Sequence, residues 1–146
     1  MKLKYQKKAG CILGMLLLTW WSASGETNAP AGLLGDWANK DFQTRSITRV
    51  QIRQDGGRVS VHVWGRCHPS ECDWGDATAT VNGHSLSVTW NVSFAVRTQT
   101  LTLQADGNLQ VSVHTHFIDN SGRKDIETED TLAKGLVHEW SDPVPK

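Results

Sequence analysis

Between residues 34 and 134, apolar and polar residues exchange places almost step by step, and glycine, asparagine or aspartate closes most of the segments. A two-residue period puts successive side chains on opposite faces of an extended chain, so such segments fold as strands with one buried face. Thr48-Val50-Ile52 alternates with Arg49-Gln51-Arg53 and stops at Gly56-Gly57. Val59-Val61-Val63 alternates with Ser60-His62-Trp64. Ala77-Ala79-Val81 ends at Asn82-Gly83, a dipeptide that two-residue hairpins favour. Leu86-Val88-Trp90-Val92, Leu101-Leu103 and Leu109-Val111-Val113 follow, and a thinner strand runs through Ile126-Glu127-Thr128-Glu129-Asp130-Thr131-Leu132. With the short segment 35–39 this makes eight strands in sequence. Sequential antiparallel strands close into an up-and-down barrel, which removes the unpaired edges of an open sheet. The expected fold is therefore all-β, an eight-stranded antiparallel barrel, with a β-sandwich as the alternative.

The first 25 residues stand apart from this pattern. Lys2, Lys4, Lys7 and Lys8 precede the apolar run from Ile12 to Trp21, and Ser22-Ala23-Ser24-Gly25 supplies small residues for a peptidase. This is the layout of a secretory signal peptide. Ten residues rise only about 15 Å as a helix, half of a bilayer core of roughly 30 Å, so an anchor is the poorer reading. Residues 26–33 read as a flexible lead-in, because Pro30 and Gly32 oppose regular structure, 34–135 as the barrel domain, and 136–146 as a C-terminal tail with Pro143 and Pro145. The expected location is secreted or periplasmic, with no membrane insertion after cleavage.

Cleavage changes the charge. The whole chain carries 15 basic and 15 acidic residues; loss of four lysines and no acid leaves 11 against 15. A net charge of −4 argues against nucleic-acid binding, which calls for a basic excess. It also leaves Cys67 and Cys72 as an even pair, since Cys11 departs with the signal. Two cysteines five apart in an oxidising compartment most simply form a disulfide. The alternative, with Cys67, His68 and Cys72 as metal ligands, leaves the site one short of the usual four.

Gly35-Asp36-Trp37 at the start of the first strand resembles the Gly-x-Trp opening of lipocalins and related calycins, and Leu34-Gly35-Asp36-Trp37-Ala38-Asn39 is similar to the start of avidin-type barrels. The lipocalins' further loops and C-terminal helix have no counterpart. The resemblance implies a small barrel in which Gly35 and Trp37 are structural, Trp37 closing the base. The segment CHPSECDWG, with Thr44-Arg45-Ser46-Ile47 before it, also resembles small secreted bacterial proteins and brings no activity with it.

Several groups of residues could carry function. Trp64, Arg66, His68 and Trp74 surround the cysteine pair, and a loop held rigid on a barrel is a natural place for a ligand or partner. By parity Trp90 belongs to the core, whereas Trp64 and Trp74 fall on faces opposite their strands' aliphatic residues. Arg45, Arg49 and Arg53 share parity, and such a row of guanidiniums could clamp an anion or simply form a solvated face. His114 and His116 lie on one strand face, and with His62 they could hold zinc; the plainer reading pairs them with Glu127 and Glu129 across the hairpin. The acidic residues 125–130 read as a solvated face. No serine elbow, His-Glu-x-x-His or phosphate loop is present. The expectation is a monomeric, non-enzymatic exported binding module without a cofactor, taking a small molecule in the barrel or an envelope protein at the Trp-flanked loop. The alternatives are a metal-binding protein or metal-dependent enzyme using His114 and His116, and a structural envelope module.

Overall fold

The computed structural model describes residues 28–135, so the segment 1–25 read as a signal and the segment 136–146 read as a tail lie outside the described residues. The strands are β1 Gly35–Asn39, β2 Ile47–Asp55, β3 Arg58–Arg66, β4 Glu71–Asn82, β5 Ser85–Val92, β6 Ala95–Leu103, β7 Leu109–Phe117 and β8 Ile126–Lys134. Each pairs antiparallel with its successor, and β8 returns to β1 through Trp37↔Lys134, Ala38↔Ala133 and Asn39↔Leu132. The barrel is closed, and the sandwich alternative falls. The β4–β5 hairpin turns at Gly83, whose φ of 61° is a left-handed value that glycine adopts without strain, as the Asn-Gly signal requires.

Alternation decides which face is buried. Val50, Ile52, Val59, Val61, Val63, Leu86, Val88, Leu101, Leu109, Val111 and Leu132 fill the interior, each at 1% exposure or less. Arg49, Gln51, Arg53, Ser60 and His62 point out. Apolar inside and polar outside is the reverse of a barrel that spans lipid. Trp37 closes the base, 2% exposed, and its indole N–H donates to the Leu33 carbonyl at 2.9 Å. Residues 28–33 are irregular, as Pro30 and Gly32 imply, yet Ala29 and Leu33 are buried in the core and Gln54 accepts the Ala29 N–H. The lead-in is thus part of the base plug.

Two bulges alter the simple parity. On β2 the register against β3 shifts between Ile47 and Arg49, and both Ile47 and Thr48 are fully buried. Arg45 lies before β2, in the loop, and does not continue the row of Arg49 and Arg53. On β4 the register against β3 shifts between the pairs His62↔Asp76 and Trp64↔Asp73, so that Trp74 and Gly75 together face Val63. An extra residue reverses the parity of everything beyond it. Ala77, Ala79 and Val81 point inward on one side of the bulge, and Trp74 points inward on the other. The expectation that Trp74 faces away from the aliphatic residues is corrected for this reason. Gly75, at φ 80°, takes the backbone conformation the bulge needs.

Candidate functional site

The four connections 40–46, 67–70, 93–94 and 118–125 gather at one end of the barrel, opposite the Trp37 plug. There the interior is not filled. A cavity of about 360 Å³ opens between the disulfide loop and β6–β8. This is at the small end of the range for small-molecule sites. One wall is Gly65, Arg66 and the Cys67–Cys72 disulfide, whose Cα atoms stand 5.4 Å apart. The other carries Val113, Thr115, Phe117, Ile126 and Thr128, with Arg45 and Ser46 at the edge. Trp74 and Arg97 complete it.

Local sequence explains how Trp74 gets there. Gly65 occupies an inward position at the rim of β3, and a Cβ at this residue would stand 2.9 Å from Trp74 Nε1 and 3.1 Å from Cε2. The indole therefore fills the space that a side chain at 65 would take. Its ring meets Trp90 edge-on, centroids 6.3 Å apart, and the Arg97 guanidinium lies 4.5 Å above it. Arg97 faces inward on β6 between Trp90 and Thr115 in register. Burial pushes its guanidinium below the ordinary value, though an arginine remains a cation at neutral pH. Among the described residues its partners are the rings of Trp74 and Phe94; no carboxylate bonds it, and no Asp or Glu lines the cavity.

Beneath Arg97 the polarity continues. Gln99, two residues on and on the same face, is wholly buried opposite Val113, and among the described residues neither its amide oxygen nor its amide nitrogen has a hydrogen-bond partner. The Trp90 indole N–H, buried opposite Arg97, lacks one as well. Buried polar groups are nearly always paired, so three such atoms in one part of one barrel call for an explanation. Around the opening, the large exposed apolar side chains of the described residues are Phe42, Phe94, Ile118 and Ile126, all at this end.

Of the residues singled out from sequence, Arg45, Arg66 and Trp74 meet at the cavity, and His68 lies exposed on the disulfide loop above it. Trp64 does not join them. It points outward between the His62 ring, 4.1 Å away, and the Arg49 guanidinium at 4.3 Å. Arg49 in turn donates from Nε to Glu71 Oε1 at 3.0 Å and from Nη2 to Oε2, a bidentate pair. Arg53 pairs with Asp36 at 2.8 Å. Arg49 and Arg53 thus have neighbouring carboxylates, which leaves them as an outer salt-bridged face and not an anion clamp.

The histidines separate too. His114 pairs with Glu127 at 3.2 Å and Asp125 at 3.3 Å, and His116 with Asp125 at 3.0 Å, on the outer face of β7 and β8. Glu129 stands opposite Ser112 instead. His62 pairs with Asp73 and Asp76 on β4, and three strands lie between β3 and β7. Among the described residues no group of three or more His, Cys, Asp or Glu is placed to hold a metal ion.

A wider groove of about 800 Å³ runs between loop 40–46 and β8. Its polar floor is already satisfied. Asp130, far from lying on a solvated face, is 8% exposed and accepts from Asn39 Nδ2 at 2.7 Å, Thr44 Oγ1 at 3.0 Å and the Ile47 N–H at 3.3 Å. That network ties the loop to the barrel. The barrel mouth is therefore the better candidate, although the groove is larger.

Arg97, Gln99 and Asn39 were not singled out from the sequence as site residues, and Asp130 was read only as part of a solvated acidic face. A signal existed for the first two: extending the Leu101-Leu103 parity back along β6 puts Gln99 and Arg97 on the apolar face. No family model, curated protein or solved structure matches the chain.

Proposed function

We propose that the protein is an exported, non-enzymatic binding module of lipocalin-like type that takes a small molecule into the mouth of its barrel. One observation carries this reading: the cavity sets the Arg97 guanidinium, which no carboxylate among the described residues bonds, beside the Trp74 ring and the apolar walls of Val113, Phe117 and Ile126. A binding site is built this way, from apolar surface and a few convergent polar atoms. The disulfide supports it by holding one wall of the cavity in place, and a disulfide of this kind suits an oxidising compartment, in line with secretion or a periplasmic location.

The test is a titration of the isotopically labelled protein with a panel of small amphipathic compounds, read from backbone amide shifts. The reading expects changes that cluster at Arg66, Trp74, Arg97, Thr115 and Phe117. Changes confined to the outer face around His62 or His114 would overturn it. The exposed apolar rim of Phe42, Phe94, Ile118 and Ile126 favours one second reading, an envelope protein docking on the same end. Double replacement of Phe42 and Ile118 by serine separates the two, since both lie on the exposed rim and neither lines the inner cavity.

A further inference from the structure

We infer that the ligand of the barrel mouth is a small organic monoanion, a carboxylate on a flat apolar body, with Arg97 as its counter-ion. This rests on the mouth being a binding site and adds the chemical class of what enters it.

Charge comes first. The cavity is lined by Arg45, Arg66 and Arg97 and by no acidic residue; the buried Asp130 nearby is already bonded by Asn39, Thr44 and the Ile47 N–H. Arg49, Arg53 and Arg123, which lie outside it, each have a carboxylate partner. Arg97, inside and partly desolvated, has among the described residues the Trp74 and Phe94 rings and no carboxylate. A cation withdrawn from water without a counter-ion is costly, and an anion from solution supplies what the protein does not. One unpaired inner guanidinium neutralises one negative charge, so a monoanion leaves the interior balanced.

Shape and hydrogen bonding narrow the class. A guanidinium offers parallel N–H groups that match the two oxygens of a carboxylate. Behind the cavity lining, the Gln99 amide and the Trp90 indole N–H, on the inner faces of β6 and β5, have no hydrogen-bond partner among the described residues. The remaining lining is flat or apolar: Trp74, Val113, Phe117 and Ile126. A ligand with its carboxylate inward and a flat apolar body outward meets both sets of groups at once.

The experiment compares two probes of the same shape, naphthoate and its neutral amide, naphthamide, by calorimetry and amide shifts on the purified protein at neutral pH. Naphthoate should bind tighter by about tenfold or more, as a charge-assisted bidentate pair implies, and the gap should shrink with added salt. Arg97→Met should abolish the gap and Arg97→Lys should keep part of it. Should Arg97→Met fail to fold, the wild-type gap and Arg97→Lys still decide. Equal binding of both probes at the mouth overturns the anion assignment and leaves the binding reading standing. Shifts away from the mouth, or none at millimolar probe, overturn both.

Discussion

Replacing Gln99 with leucine puts a number on the claim that the barrel interior holds polar groups for a ligand and not for the fold. The residue is fully buried, and both polar atoms of its amide lack partners. Burying an amide unpaired costs about 1–3 kcal/mol on the scale of protein mutational data. Leucine keeps nearly the same volume and branches toward the same neighbours, Val88 and Val113, which are 1% and 5% exposed. The substitution removes the desolvation penalty and adds apolar contact. We expect the unliganded protein to become more stable by about 1–3 kcal/mol. For a domain of this size each kcal/mol moves Tm by roughly 4–8 °C, so the melting midpoint should rise by roughly 4–24 °C. Urea unfolding followed by tryptophan fluorescence is the assay, because a midpoint that shifts at constant slope reports stability alone. The same variant should bind naphthoate more weakly. A variant less stable than wild type by about 1 kcal/mol or more would mean that the Gln99 amide is well bonded in the free protein, and the reasoning would fail.

Three further outcomes follow from other parts of the barrel. Asp130→Ala leaves the Thr44 hydroxyl and the Ile47 N–H without an acceptor and takes one of the two from Asn39 Nδ2, which keeps the Ile47 carbonyl. It should cost about 3 kcal/mol or more and speed hydrogen exchange at Ile47; unchanged exchange would contradict the role given to that network. Cys67→Ser with Cys72→Ser should cost about 2 kcal/mol, since the closed loop is short, and should shift Trp74 emission as one cavity wall loosens. The hydrogen bond from Gln51, and then Arg53, hold the Asp36 carboxyl below its ordinary value. A carboxyl depressed by folding adds stability above its unfolded pKa and loses it as pH falls through the folded value. Asp36→Asn should therefore be slightly less stable than wild type at neutral pH, by under about 1 kcal/mol for so exposed a pair, and the difference should close as the pH falls below about 4. A difference that persists in strong acid would show that the carboxylate charge is not its source.

The strands were legible because a half-buried strand must place apolar residues two apart, and no other element tolerates that spacing. Val59-Val61-Val63 and Leu109-Val111-Val113 could face a core only as strands. The disulfide was legible from Cys67 and Cys72 being the even pair within the segment read as folded. The site was harder to read. The outward parity of Arg49 and Arg53 was visible, but their neutralisation depends on β4 bringing Glu71 and β1 bringing Asp36 alongside. The three histidines share polar parity, yet barrel order puts three strands between His62 and His114.

From the sequence alone come the number of strands, the polarity of each face and the turns, because these depend on neighbours a few residues apart. Closure, the two bulges and the unpartnered groups at the mouth were decided only by tertiary structure. A bulge is a mismatch between two strands, so neither strand's own sequence announces that Trp74 turns inward. Whether Arg97 or Gln99 has a partner depends on every strand around the barrel, and only the closed structure brings those strands together.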